Sequence, residues 1–289
     1  MQNKKHIQPL MEQAQKLFRH CRQCSYKTRE RYFTAFKRFL IYLSATYGLQ
    51  KIANISGKHL SAYVRYMQEN NLSASTIKTD LAAIRFWHDQ VSQAKHRLPD
   101  NKELDLERRI YRGVDRTWTE EEFNYMVSIA NEQNRSDYAA AMILSRYMGL
   151  RIHEVFRVDA LAAKMAIESG LLTIKGKGGK IRGIPCHPQI EHVLERHLEF
   201  TIPGQKLLLP MDKKTHHAIK ELQQFIADNR PPRHGRPITF HGLRHMYAVE
   251  AYQRLIADGA SQAVARLQVS RWLGHERPEI TEIYLASIR

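Results

Sequence analysis

Thr239-Phe-His-Gly-Leu-Arg-His245 opens the last fifth of this 289-residue chain, Trp272-Leu-Gly-His275 follows it, and Tyr284 stands nine positions after that histidine. His241 and Arg244 are three apart on what reads as the first turn of a helix, which puts an imidazole and a guanidinium on one face. Tyr284 brings a phenol near the chain end. A guanidinium grips phosphate oxygens, imidazoles donate or accept protons, and a phenol can attack. Together these groups suit phosphodiester cleavage through a tyrosyl phosphate.

Two upstream stretches share this character. Met148-Gly-Leu-Arg-Ile-His-Glu154 sets Arg151 just past a helix that stops at Gly149. Taken alone, Arg151 reads as a surface residue or as one half of a salt bridge with Glu154, which is expected to orient it. Leu171–Ile174 and Ile181–Pro185 are β-rich runs around Lys175-Gly-Lys-Gly-Gly-Lys180, a pattern that predicts a hairpin with a basic turn. A Walker loop is excluded, because no Ser or Thr follows the lysine and the glycine spacing is wrong.

In their residues, order and spacing these stretches resemble the tyrosine recombinase (phage integrase-like) family. The resemblance covers the whole chain, closely from about Thr117 onward and loosely before it. It implies a simple two-domain recombinase: a helical-bundle, SAM-like core-binding domain followed by an α-rich catalytic domain with a β-hairpin. The expected fold class is therefore mainly α with a small β-sheet. The resemblance also implies the catalytic set Arg151, Lys177, His241, Arg244, His275 and Tyr284. Tyr284 attacks the scissile phosphate to give a 3′-phosphotyrosyl enzyme and a free 5′-hydroxyl. Arg151 and Arg244 neutralise the non-bridging oxygens, His275 donates to one of them, His241 handles the tyrosine proton, and Lys177 protonates the leaving oxygen. His245 takes a supporting role.

Charge points the same way. The net charge of +16 suits a polyanionic partner. Residues 1–98 hold 17 Lys and Arg against 5 Asp and Glu, whereas residues 99–289 hold 28 against 24. The expected domains are a DNA clamp over 1–98, a linker over 99–116 and a catalytic domain over 117–289. Helices are predicted near 8–22, 26–47, 57–70 and 74–93. In the second, Tyr32, Phe36, Phe39, Leu40, Leu43 and Tyr47 form one apolar stripe, with Lys27, Arg31, Thr34 and Arg38 on the opposite face. Such a face on one helix alone is equally a solvated surface; the uneven excess of charge favours phosphate contact. Lys27, Arg31, Arg38, Lys78 and Arg85 are the expected contacts here, with Lys180 and Arg182 on the hairpin. Trp87, Phe33 and Phe86 are expected in the core rather than as base-stacking platforms. Further on, a capping box at Thr119-Glu-Glu-Glu122 opens a helix, and helices are predicted over 136–148, 187–199 and 214–228. The Ala-rich stretch 159–170 departs from the family pattern and suggests no element.

Cys21, Cys24 and Cys186 make no disulfide framework, and Cys21-Arg-Gln-Cys24 lacks the second pair a zinc site needs. No histidine spacing suits a metal and no acidic cluster suits Mg²⁺, so no cofactor is expected. With no apolar run of about 18 residues, the protein is expected to be soluble and cytoplasmic, without a membrane partner. The implied partner is double-stranded DNA with paired inverted-repeat sites, bound by a homo-tetramer that is a monomer or weak oligomer when free. A type IB topoisomerase with the same chemistry, or a non-catalytic DNA-binding module, are the alternatives. No arm-binding domain is expected before the bundle. The five residues after Tyr284 are too few for a docking helix, so coupling between protomers is expected elsewhere, with 1–22 as a candidate bridge because of its Leu10, Leu17 and Phe18.

Overall fold

The computed structural model describes residues 3–108, 115–176, 179–275, 281–285 and 288. It divides into two compact units, Met1–Ile110 and Tyr111–Arg289. The first is a bundle of α1 (Asn3–His20), α2 (Tyr26–Tyr47), α3 (Gly57–Glu69) and α4 (Ala74–His88). Ser25 and Ser73 start α2 and α4 by accepting from the amides of Thr28 and Thr76, which satisfies donors that a bare helix end leaves open. The expected stripe of α2 turns inward: Phe36, Phe39, Leu40 and Leu43 are fully buried, while Tyr32 is half-buried and Tyr47 exposed at its edges. Trp87 is also fully buried, packed edge-on against Phe33 and Phe86.

Two expectations change here. Leu10 is 0% exposed, and Leu17 and Phe18 pack on the same core, so the apolar residues that suggested a bridge between protomers are accounted for by α1 closing its own bundle. In the stretch expected as linker, Leu104 is buried in the bundle core. The backbone around it accepts hydrogen bonds from bundle side chains: Arg85 Nε to Pro99 O (2.7 Å), Gln68 Nε2 to Asp105 O (3.0 Å) and Lys78 Nζ to Glu107 O (2.6 Å). Residues 99–107 thus strap the bundle.

The second unit holds α5 (Glu120–Glu132), α6 (Ser136–Met148), α7 (Ile152–Val155), α8 (Ala160–Ser169), the hairpin β1 (Leu171–Lys175) and β2 (Ile181–Pro185), α9 (Pro188–Leu198), α10 (Thr215–Asn229), α11 (Phe240–Ala257), α12 (Gln262–Leu273) and α13 (Thr281–Tyr284). The Thr119 capping box is present, with Thr119 N donating to Glu122 Oε2 at 2.8 Å and Glu122 N donating back to Thr119 Oγ1 at 3.1 Å. Where the Ala-rich stretch suggested no element, α8 forms between an Asp159 cap and the left-handed Gly170. Its small Ala163 and Ala166 let it sit flat, fully buried there, against β1 and α9. The strands pair antiparallel, with Leu172 opposite Ile184 and Ile174 opposite Arg182, and their apolar side faces the core. Helix α6 stops at Gly149, whose φ of +61° favours glycine. A Cβ there would also lie 2.3 Å from the Tyr247 ring on α11. This close approach brings the end of α6, and Arg151 after it, against the first turns of α11. Among the described residues no helix is long and apolar enough to cross a membrane.

Candidate active site

Arg151 caps the short α7 from its N-terminal side, and the cap is ionic. Its amide donates to Glu154 Oε2 (2.9 Å) and its Nη1 to Glu154 Oε1 (3.0 Å). Glu154 is fully buried and receives a second guanidinium from the hairpin: Arg182 Nη1 donates to Oε1 at 3.0 Å and Nη2 to Oε2 at 2.7 Å. Arg244 lies at its edge, with Nη1 4.0 Å from Oε2. Burial alone would raise the Glu154 pKa, but hydrogen bonds and charge from Arg182 and Arg151 outweigh it and hold the carboxyl at about 2.

Arg244 sits on the first turns of α11, whose start is pinned by Trp118 Nε1 donating to Thr239 O at 2.9 Å. It has no solvent exposure. Nη1 donates to Gly149 O and Nη2 to Leu273 O, so the guanidinium ties the end of α6 to the end of α12. Burial lowers its pKa to about 10, which leaves it charged at neutral pH. Nε is buried with no hydrogen-bond partner among the described residues.

Around Tyr284 three imidazoles gather. The His245 ring stacks on the phenol ring at 4.3 Å and 27°, His275 lies at 4.9 Å, and His241 meets it edge-on at 5.4 Å. The Arg244 guanidinium carbon is 5.7 Å from the same ring. Arg244 Nη2 lies 3.3 Å from His275 Nε2, and His275 Nδ1 lies 3.2 Å from Thr281 Oγ1. A guanidinium only donates, so Nε2 accepts in this arrangement and the ring proton sits on Nδ1, toward Thr281. Burial first, then positive neighbours, hold His245 and His275 at about 3. His241 is the most open of the three rings and is held at about 4 by desolvation together with Arg244, Arg116 and Arg151. All three are neutral at pH 7. A cleft of about 440 Å³ opens beside His241, lined also by Arg151, Gln223, Arg230 and Thr239 among others.

The structure thus brings together Arg151, His241, Arg244, His275 and Tyr284, drawn from four separate segments of chain. Lys177 lies outside the described residues. On the bundle, Lys27, Arg31 and Arg38 are exposed along α2, and Arg38 also pairs with Asp80 of α4 at 2.7 Å. Lys180 is exposed on the hairpin. The other three expected phosphate contacts are placed differently. Arg85 and Lys78 hold the strap, and Arg85 Nη1 adds a 2.8 Å bond to Asn101. Arg182 has a side chain only 10% exposed and faces inward to Glu154. Strand alternation was the available signal for this, since Arg182 lies two positions before the buried Ile184 and therefore on its side of the hairpin. Thr281, fully buried beside His275, is a further member the sequence reading missed.

Comparison with known proteins agrees in both units. Residues 116–288 match the phage integrase family, and residues 10–96 match the phage integrase N-terminal SAM-like domain. A tyrosine recombinase of Thermosipho africanus is 23% identical over 272 residues, covering 92% of this chain and 90% of its own. The tyrosine recombinase XerD of Xanthomonas axonopodis pv. citri is 24% identical over 242 residues, covering 77% and 75%. Among solved structures, a lambda integrase dimer bound to a COC′ core site has a TM-score of 0.62 at 16% identity, covering 96% of this chain and 76% of that one. XerH bound to palindromic difH DNA has a TM-score of 0.61 at 16% identity, covering 89% and 75%. These structural likenesses speak to the fold. With the two sequence matches following one another in chain order, and the catalytic one spanning more than half of the residues, the chain belongs to the phage integrase family of tyrosine recombinases.

Proposed function

We propose that this protein is a site-specific DNA recombinase that cuts and rejoins strands through a 3′-phosphotyrosyl intermediate on Tyr284, without metal or ATP. The observation that supports it most is the gathering of three neutral imidazoles and the Arg244 guanidinium around the Tyr284 phenol, with Arg151 beside Arg244 on the Glu154 carboxylate. Arg151 and Arg244 neutralise the scissile phosphate as charge builds on its oxygens. Removing one such donor typically slows a reaction about 10²–10³-fold. His241 takes the phenol proton. His275 donates from Nε2 to a non-bridging oxygen once its bond from Arg244 gives way and the ring proton moves to that nitrogen, with Thr281 Oγ1 then donating to Nδ1. Lys177 protonates the departing 5′-oxygen. The covalent link conserves the phosphodiester energy, so rejoining needs no nucleotide.

The partner on this reading is duplex DNA with paired inverted-repeat sites, engaged by four protomers, each a monomer or weak oligomer when free. Lys27, Arg31 and Arg38 reach backbone phosphates from α2, and Lys180 does so from the hairpin. Residues 109–116 connect the clamp to the catalytic unit. The work is cytoplasmic and belongs to a mobile element.

The test is covalent capture. Wild-type protein is incubated with a duplex library, denatured, and the protein-linked DNA is recovered and sequenced. Enrichment of one site, with a peptide carrying nucleotide on Tyr284, is the expected result. Tyr284→Phe should bind the recovered site and form no adduct. An adduct that persists in that variant assigns the nucleophile elsewhere.

A further inference from the structure

We propose that Arg182 is a positioning residue of the catalytic centre: by engaging both oxygens of Glu154, it sets how much of Arg151 and Arg244 is left for the scissile phosphate. The inference rests on the recombinase reading above, and it reassigns a side chain that the sequence suggested for DNA contact.

Arg182 stands on the inward side of β2, opposite Ile174 and next to the fully buried Ile184. A guanidinium brought into such a place is costly unless every donor direction finds a partner. Here all three nitrogens do. Nη1 and Nη2 meet the two oxygens of Glu154 as a fork, and Nε donates to Trp272 O at 2.8 Å. These partners lie 28 and 90 residues away in sequence, so one side chain joins the hairpin, the Arg151 turn and the end of α12. The chain passes close against it just before His275. Gly274 has φ +65°, and a Cβ there would lie 3.1 Å from Arg182 Cδ.

Charge explains what the join does. Glu154 is one anion among three guanidiniums: Arg182 on both oxygens, Arg151 on Oε1 at 3.0 Å, and Arg244 at 4.0 Å from Oε2. A carboxylate has about four lone-pair directions. With Arg182 present, the Arg151 amide and one Arg151 side-chain donor take what remains. Arg151 keeps its other donors and 27% of its side-chain exposure, whereas Arg182 keeps 10%. Without Arg182, the vacated oxygens attract Arg151 and Arg244 more fully, and a guanidinium drawn onto Glu154 has fewer donors for a phosphate. Arg182 therefore acts through Glu154, with no contact to DNA, and its bond to the Trp272 carbonyl anchors the guanidinium in place.

The experiment uses the full chain and the duplex recovered with wild type, in two forms. One has the natural scissile phosphate; the other has a methylphosphonate there, which lacks the anionic charge the arginines neutralise. Arg182→Met should slow single-turnover adduct formation about 10- to 100-fold on phosphate, less than loss of a direct donor. The defect should shrink several-fold on methylphosphonate, with DNA affinity and its salt dependence unchanged. Arg182→Lys should fall between wild type and Arg182→Met. In a Glu154→Gln background, adding Arg182→Met should change the rate little, because its route of action is already gone. Should Arg182→Met fail to fold, Arg182→Lys and the double variant carry the same comparison. An equal defect on both substrates, the same loss with and without Glu154, or a flatter salt dependence overturns the assignment. The recombinase reading is judged separately: no Tyr284 adduct from wild type removes it and this inference with it, whereas a wild-type adduct with the wrong variant pattern removes only this inference.

Discussion

Replacing Glu154 by Gln tests the charge arrangement at its centre. The substitution keeps the shape and removes the anion that Arg151, Arg182 and Arg244 share. Its carboxyl is held at about 2 instead of the ordinary 4.5. At about 1.4 kcal/mol per pH unit, that drop corresponds to about 3 kcal/mol of folding stability at neutral pH. The figure falls in the range of about 3–5 kcal/mol seen when one partner of a buried ion pair is removed. Because the folded pKa lies below the unfolded one, this stability is complete above pH 4.5 and is lost as the pH falls through 2. The gap between wild type and Glu154→Gln should therefore narrow from about 3 kcal/mol at pH 7 to about 1.4 kcal/mol at pH 3. Urea unfolding of both proteins at pH 7, 4 and 3, followed by the fluorescence of the buried Trp118 in the second unit, reads this directly. Other acid-sensitive groups are common to both proteins and cancel in the difference. A gap that stays constant across this range, or none at pH 7, would refute the claim that an ionised Glu154 organises the arginines.

Three further outcomes are expected. Lys177→Ala should cleave ordinary DNA slowly but recover on a substrate with sulfur at the 5′-bridging position, since a thiolate leaves without protonation; an equal defect on both removes Lys177 from the acid role. Joint replacement of Lys27, Arg31 and Arg38 by Ala should flatten the slope of log K against log salt by about 2 units, at about 0.9 per lost contact. The Asp80-paired Arg38 contributes least, and an unchanged slope returns that face to plain solvent. Leu10→Ala should destabilise the first unit by about 2–5 kcal/mol in denaturant unfolding, as a fully buried leucine does, and a change below about 0.5 kcal/mol would detach α1 from the core.

What the sequence made legible followed from local chemistry. The α2 stripe, the Thr119 capping box, the Gly149 stop and the hairpin each have a short-range cause, and each stands where that cause put it. Two kinds of feature escaped. Alanine has no pattern of size or polarity along 159–170, so α8 is visible only once Asp159 and Gly170 are seen as its caps. Charge is the other. Arg85 and Lys78 look like surface cations in one dimension, and only tertiary partners distant in sequence show that they bind the chain itself; for Arg182, strand alternation marks the inward side but not its partner. The five described members of the motif set converge because α6, α11 and α12 end or begin at one place, held there by the bonds of Arg244 to Gly149 and Leu273. The sequence gives the types and order of these residues; the carbonyls that fix them carry no sequence signature.

The low pKa values of the imidazoles raise a question of mechanism. A ring held at about 4, as His241 is, is a weak acceptor for a phenol proton. Part of that weakness comes from Arg244, Arg116 and Arg151, whose positive charge opposes a second positive charge on the ring. A scissile phosphate entering between the arginines is an anion at that same position. It offsets the field that suppresses His241 and, through Arg244 and Arg151, the field that suppresses His275. On the recombinase reading, the base is therefore weakest in the empty site and strengthens when substrate is in place. On that reading, the strength of the base is tied to the presence of the bond that is attacked.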